Sequence, residues 1–217
     1  MFRKTSLLFG VVALMLVAPQ AHAAKGDMSI SLAAGLAVPM GDFSKKVVDG
    51  GAGASMGYTV GPSFDYMVTD AVALGLDGAY SSMSLNKSER DQIRTGPPAD
   101  PTFDVKYTLV GGGAHAKYMF SSGEGSSVKP YILAGLGATN GKAKVTSNDP
   151  TINGTSAGKT KFSAQGGVGA GFGGSGSVGF GLEAAYHYIS ADTGGKALTW
   201  VGLTGVVSFG MQEKSSK

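Results

Sequence analysis

Phe162 to Tyr188 reads FSAQGGVGAGFGGSGSVGFGLEAAYHY. In its first half Phe162, Ala164, Val168, Ala170 and Phe172 share one parity, against Ser163, Gln165, Gly167, Gly169 and Gly171. Beyond Gly173-Gly174-Ser175-Gly176-Ser177 the alternation resumes. Val178, Phe180, Leu182, Ala184, Tyr186 and Tyr188 then oppose Gly179, Gly181, Glu183, Ala185 and His187. A strand sends successive side chains to opposite faces, so each arm has one apolar face and one small or polar face. The short Gly/Ser link joins the arms as a hairpin. Each arm is 11 residues long, a length with which a tilted strand crosses a bilayer. The pair reads as two staves of a small transmembrane barrel.

The N-terminus carries a second signal. Arg3 and Lys4 precede an apolar run from Leu7 to Val17, Pro19 breaks it, and Ala21-His22-Ala23 forms an A-x-A site. This predicts a cleaved signal peptide over residues 1–23 and a single domain over 24–217. No later run is long and apolar enough for a helical span. Without Arg3 and Lys4, 16 basic residues face 15 acidic ones, a net charge of +1, which gives no footing for nucleic-acid binding. The absence of cysteine removes disulfides, thiolate chemistry and most zinc sites; no cofactor or metal is expected. The 36 glycines alternate with apolar residues inside strand-like segments rather than forming a linker. In a narrow barrel, lumen-facing positions must be small.

Taken in order, Met28 to Val38 alternates strictly and gives the first strand, and Gly41–Gly53 a polar loop. Met56 to Tyr66 alternates again; Pro62 within it costs a ladder hydrogen bond, so a bulge or irregular pair is expected there. After a turn at Val68-Thr69-Asp70, a third strand starts at Ala71, and Asn86–Thr102 is a loop rich in charge and proline. The fourth strand, Phe103 to Phe120, changes parity midway. Phe103, Val105, Tyr107 and Leu109 are odd, Ala114, Ala116, Tyr118 and Phe120 even, and a bulge at Gly111-Gly112-Gly113 is expected to reset the faces. A Ser/Gly turn, Ser121–Ser127, leads to Val128–Asn140, then a loop at Gly141–Thr160 and the hairpin quoted above. Ala191–Gly195 is a short loop, Lys196–Phe209 the last strand, and Gln212–Lys217 a polar tail.

The fold class predicted is all-β: an eight-stranded antiparallel up-and-down transmembrane β-barrel behind a signal peptide. The connections run 13, 3, 17, 7, 20, 5 and 5 residues. From a periplasmic N-terminus the long ones fall outside and the short turns inside, the arrangement of bacterial outer-membrane barrels. Aromatics are banded to match. Tyr66, Phe120, Phe172, Phe180 and Phe209 fall at periplasmic strand ends, and Tyr80, Tyr107, Phe162 and Tyr188 toward the opposite ends. Two aromatic girdles are therefore expected.

Phe64–Asp77 (FDYMVTDAVALGLD), Lys117–Phe120 with Lys129–Gly137 (KYMF and KPYILAGLG), and Gly179–Tyr188 (GFGLEAAYHY) resemble the OmpA-like transmembrane β-barrel superfamily. Barrel-only relatives there include OmpX-, OmpW- and opacity-type proteins. No counterpart of the peptidoglycan-binding domain of full OmpA proteins is expected, with only Gln212–Lys217 after the last strand. The resemblance implies residence in the bacterial outer membrane and recognition by the barrel-assembly machinery. Phe209 lies eight residues before the end, a departure from the family's terminal pattern.

If the apolar faces meet lipid, the lumen receives Asp65, Asp77, His115, Lys117, Lys129, Gln165, Glu183 and His187. Charges in a narrow interior must be paired, and Glu183 is expected to pair with Lys117 or Lys129, with His115 nearby. Such a network reads as a structural plug or as a gated path for protons or ions. Catalysis has little footing. His187 and Ser190 are three apart, which puts them on opposite faces of a strand, and Glu183 lies four residues from His187. Loop cations such as Lys45, Lys46, Lys142, Lys144, Lys159 and Lys161 read as partners of lipopolysaccharide phosphates or as ordinary solvated charges. Asn153-Gly154-Thr155 reads as a turn rather than a glycosylation site.

The function expected is non-enzymatic: a monomeric structural or surface-interaction protein with long external loops. Its partners would be outer-membrane lipid and lipopolysaccharide, and a host or phage ligand at the loops. A narrow channel for small or hydrophobic solutes is the alternative, and a lipid A-modifying enzyme a remote one.

Overall fold

Inside a bilayer no water satisfies an open strand edge, so a sheet can cross it only as a closed ladder. The computed structural model, which describes residues 25–96, 99–120, 128–172, 178–191 and 195–211, is such a ladder. Its strands are β1 (Met28–Met40), β2 (Ala54–Met67), β3 (Val72–Leu85), β4 (Asp104–Met119), β5 (Val128–Thr146), β6 (Gly154–Thr155), β7 (Lys159–Phe172), β8 (Val178–Ile189) and β9 (Leu198–Met211). Eight of them are staves; β6 is a two-residue edge on β5, opposite Lys144 and Val145. Each stave pairs antiparallel with its neighbours, and β1 with β9 closes the barrel. The predicted signal peptide, the turns at residues 121–127 and 173–177, most of the 191–195 loop and the tail at 212–217 lie outside the described residues.

The pairing fixes the geometry. A row of opposed residues leaves β1 at Ser29 and passes through Asp65, Gly75, His115, Gly135, Gln165, His187 and Trp200. It returns to β1 at Pro39. The difference, 39 − 29, is a shear of ten residues. Eight strands tilted by such a shear enclose a space that side chains fill. Leu32, Leu76, Leu136, Val168, Leu182 and Leu203 point outward and are exposed, as lipid-facing residues must be. Ser31, Thr59, Asp65, Ser81 and His115 point inward and are buried.

The fourth strand corrects the sequence reading. Its pairing with β3 runs without a shift from Val72↔Tyr118 to Ser84↔Lys106, and with β5 from Asp104↔Thr146 to Met119↔Tyr131. The expected bulge at Gly111–Gly113 is absent. Val105, Tyr107 and Leu109 simply face inward, because the outer end of the lumen is apolar. The bulge that does occur lies between Ser55 and Tyr58. Pro62 behaves as expected: no pair joins β2 to β3 between Val60↔Tyr80 and Ser63↔Asp77, since proline has no N–H to give.

Two further differences lie above the membrane. The β4–β5 hairpin continues to Asp104 and Thr146, so much of the expected Gly141–Thr160 loop is strand. The charged loop after β3 contains a helix, α1 (Lys87–Thr95), whose N-cap Asn86 accepts from the Ser88 N–H. α1 is tied down on both sides. Glu89 Oε1 accepts the Val47 N–H at 2.8 Å, and Arg94 Nε donates to the Phe103 carbonyl at 2.8 Å. Asp100 joins this loop to the next, accepting from the Thr102 N–H and hydroxyl (3.0 and 2.9 Å) and from the Asn148 N–H (3.2 Å). The Asn153 amide spans its own loop, accepting from Ser147 N–H and donating to Ser147 O, which makes it a turn residue.

Two expectations follow. Leu182→Arg, near the middle of a lipid-facing stave, should cost about 2–4 kcal/mol in urea unfolding from vesicles; an unchanged midpoint would mean the faces are reversed. The second concerns Asp100. Burial pushes its carboxyl up, but hydrogen bonds from Ser147, Thr102 and Asn148 outweigh this and hold it down to about 2. A depressed pKa stabilises above the unfolded value and is lost on acidification. The clasp should therefore be complete above about pH 4 and open as pH falls toward about 2. Amide protection at Thr102 and Asn148, compared with Asp100→Ala at pH 5, measures it.

Candidate functional site: the lumen and its outer closure

Parity alone sends Asp65, Asp77, His115, Lys117, Lys129, Gln165, Glu183 and His187 to the lumen, and the register decides which of them meet. Asp65 and His115 are separated by one strand, with Gly75 between them in the same row. A side chain at Gly75 would block their contact: a Cβ there would lie 2.6 Å from His115 Nε2, 2.8 Å from Asp65 Oδ1 and 2.3 Å from the Phe64 carbonyl. The same device recurs at Gly169, which lies in register between Tyr131 and Glu183 and leaves room for the Tyr131 ring.

Through these gaps runs a chain of polar contacts. Lys117 Nζ donates to Asp65 Oδ2 at 2.8 Å, and His115 Nε2 lies 2.7 Å from Asp65 Oδ1. His115 Nδ1 lies 2.8 Å from Asp77 Oδ2, which also accepts from Gln165 Nε2 at 2.8 Å. Both imidazole nitrogens thus face carboxylate oxygens, and a ring that satisfies both donates from both. The set offsets burial in the way a closed interior demands: every charge has an opposite charge within hydrogen-bonding distance.

Glu183 differs from expectation. Its carboxylate accepts from the Tyr131 hydroxyl at 2.9 Å, while Lys117 is held by Asp65 and sits 5.7 Å from the Tyr131 ring centroid. The register puts Glu183 in the row of Tyr131, not that of Lys117. Lys129 also faces inward, near the short-turn end. His187 makes no part of the ionic chain; its ring stacks on Trp200, with centroids 4.7 Å apart and planes 6° apart.

Above this level the lumen turns apolar. Phe43, Met83 and Ile189 are at most 1% exposed and pack with Leu109, Trp200, Ala37 and Ala54. Phe43 reaches the barrel mouth because the chain turns back after β1 at Gly41, whose φ of 56° favours glycine. Its ring meets Tyr107 edge-on at 5.4 Å, and the Tyr107 hydroxyl donates to the Ala52 carbonyl. Tyr107 is therefore a lumen residue, and its assignment to a girdle is corrected. The other aromatics expected in the girdles have outward parity. Tyr66, Phe120 and Phe209 are exposed at the short-turn end, where Phe172 and Phe180 are paired neighbours. Phe162, Tyr188 and the half-buried Tyr80 lie toward the long-loop end. Phe43, Tyr131 and Trp200 were missed in the sequence. Tyr131 was readable, since it shares the inward parity of Lys129 within KPYILAGLG.

Breaking the chain at one end should be severe. Asp65→Ala strands Lys117 and His115 and should cost about 3–5 kcal/mol in equilibrium unfolding. Asp65→Leu combined with Lys117→Met should lose much less than the two single changes added together. Strict additivity would contradict the pairing.

Comparison with known proteins fits this architecture. A family model described as outer membrane protein beta-barrel domain matches residues 7–206. No curated protein sequence matches the chain. Among solved structures, the chain is similar to Neisserial surface protein A (TM-score 0.56, 20% identity, 86% of this chain and 98% of that one). It is also similar to Ail of Yersinia pestis, solved with the heparin analogue sucrose octasulfate (0.52, 16%, 86% and 99%). OprG from Pseudomonas aeruginosa is a third (0.53, 16%, 90% and 100%). At these identities the likeness is one of fold. The family match spans nearly the whole sequence, and the chain belongs to the outer membrane protein beta-barrel domain family, an eight-stranded barrel of the bacterial outer membrane.

Proposed function

We propose that this barrel acts through its external loops, in a structural or surface-interaction role, and passes no solute. The observation that carries this reading is the filling of the lumen at two levels. Ion pairs join Lys117, Asp65, His115 and Asp77 across the lower level, and Phe43 with its apolar neighbours closes the mouth above. The outer end, by contrast, is built up well beyond the membrane, with α1 and the extended β4–β5 hairpin clasped together at Asp100. Lipid, lipopolysaccharide and a host or phage ligand are the partners such a surface would meet, and the barrel-assembly machinery the one it meets during insertion.

A narrow channel is the second reading, favoured by one observation. A cavity of about 80 Å³ lined by Lys117, Glu183, Thr59 and Thr204 lies beside the ionic chain, and another of about 40 Å³ lies between Asp77, Gln165 and Leu109. Both have room for water, and Trp200, which lines the smaller one, packs with Phe43 in the apolar closure above. A lipid A-modifying enzyme has less support: His187 faces Trp200 and has no serine partner among the described residues.

Planar-bilayer recording separates the readings. The wild-type protein should show no single-channel current, and Phe43→Ala should show small openings if the apolar closure is what seals it. Steady current through wild-type protein would overturn the proposed role in favour of the channel.

A further inference from the structure

The segment between β1 and β2 is built as a separate body. From Gly41 to Gly53 it contains two single-turn helices, Gly41–Phe43 and Val47–Asp49. Its backbone bonds stay within it. Ser44 and Lys45 N–H donate to the Gly41 carbonyl, Ala52 N–H to the Asp42 carbonyl at 3.0 Å, and Gly53 N–H to the Lys45 carbonyl at 2.7 Å. The last two draw its ends together, as in an Ω-loop. Among the described residues one backbone–backbone bond leaves it, from Asn86 N–H to the Gly53 carbonyl at 2.7 Å. Of the four described glycines with positive φ, three lie in this segment, and Gly41 (56°) adjoins β1 while Gly53 (64°) adjoins β2. Residues at such element ends absorb the rotation of what lies between them, and no ladder pair of the barrel includes residues 41–53.

Side chains hold the segment down. Phe43 fills the mouth, the Tyr107 hydroxyl donates to the Ala52 carbonyl, and Lys196 Nζ donates to the Gly50 carbonyl at 2.9 Å. A further hold is Glu89, whose Oε1 accepts the Val47 N–H. Local sequence alone would use this residue differently. Asn86-Lys87-Ser88-Glu89 has the spacing of a capping box, in which the acid returns to the N–H of the cap residue. Here Asn86 N–H goes to Gly53 and Glu89 goes to Val47, so both halves of the box are given to the segment. The cost shows at Glu89 Oε2. Glu89 is 8% exposed, this oxygen has no partner among the described residues, and a Cβ at Gly53 would lie 2.3 Å from it. A buried carboxylate oxygen without a partner is destabilising, so α1 holds the segment with little margin.

We propose that residues 41–53 are a lid, hinged at Gly41 and Gly53 and latched by Glu89 of α1, that lifts from the barrel mouth as one piece. Glu89 is a positioning residue, acting on the mouth through the segment that carries Phe43. The outer side of α1 exposes Lys87, Asp91 and Gln92, so whatever engages this helix from outside also loads the latch. Lifting uncovers the apolar mouth and leaves the ion pairs below in place. The lid rests on the closed mouth of the role proposed above.

The sequence has no cysteine, so a thiol at Met83, 1% exposed and packed in the Phe43 cluster, is a clean probe. Protein carrying Met83→Cys, alone or with Glu89→Ala or Glu89→Gln, is refolded into lipid vesicles and treated with a membrane-impermeant methanethiosulfonate. Glu89→Ala should speed modification on the order of tenfold or more, the worth of one hydrogen bond to a charged group. Glu89→Gln keeps an oxygen for the Val47 N–H and should stay near the parent rate. Equal rates in the two variants would remove Glu89 as the latch, and a thiol that reacts in none of the three would mean a fixed plug. Amide exchange of the unsubstituted protein is a second arm that needs no variant to fold. Relative to intrinsic rates, Val47 should exchange faster than Ala52 and Gly53, whose acceptors travel with them. Equal protection at all three would contradict a lid that moves as one piece. Steady current through wild-type protein refutes the sealed lumen; failure of the lid shows in labelling and exchange with that current still absent.

Discussion

Pairing of the first strand with the last, from Met28↔Met211 to Met40↔Thr199, removes the sheet edges that a bilayer cannot tolerate. It also sets the width of what lies inside. With eight strands and a shear of ten residues, the lumen is no wider than its own side chains can fill. Space then becomes the limiting quantity, and the glycine content follows from it. Where Asp65 must reach His115, or Tyr131 must reach Glu183, the residue between them in the row is glycine. A methyl group at either position would collide with the contact itself. Gly75 and Gly169 serve passage across the lumen rather than flexibility of the chain.

That narrow interior is divided by chemistry along its length. The inner part carries charge, and burial obliges each charge to be matched, which Lys117, Asp65, His115 and Asp77 do as one connected set. The outer part is apolar and is completed by a residue from outside the sheet, Phe43, folded back over the mouth. The proposed role, through the external loops, rests on this filling at two levels.

Most of the strand plan was legible because lipid imposes period-two alternation on every stave, as in Val178 to Tyr188. The misreading in β4 has the same origin. Alternation tells one face from the other only when the second face is polar, and at the mouth both faces are apolar. Val105, Tyr107 and Leu109 therefore looked like lipid-facing residues out of step, when the register in fact never shifts. Above the membrane the rule inverts, with Lys142 and Lys144 outward and Ala143 and Val145 inward, so strand was read as loop. α1 is a nine-residue helix held by caps and by Glu89, and carries too short an apolar stripe to announce itself. The lumen residues were legible by parity, but their partners depend on register. That is why Glu183 was expected on a lysine and is found on Tyr131.

Trp200 is the only tryptophan in the sequence, and it lies 4% exposed between the ionic level and the Phe43 closure. Its fluorescence therefore reports directly on whether the lumen is sealed. The most direct measurement is quenching of the folded protein in lipid vesicles by aqueous iodide and, separately, by brominated acyl chains. A sealed lumen predicts blue-shifted emission with little quenching by iodide and little by the brominated lipid, since the indole faces neither water nor bilayer. Strong quenching by iodide in the folded barrel would contradict the closure.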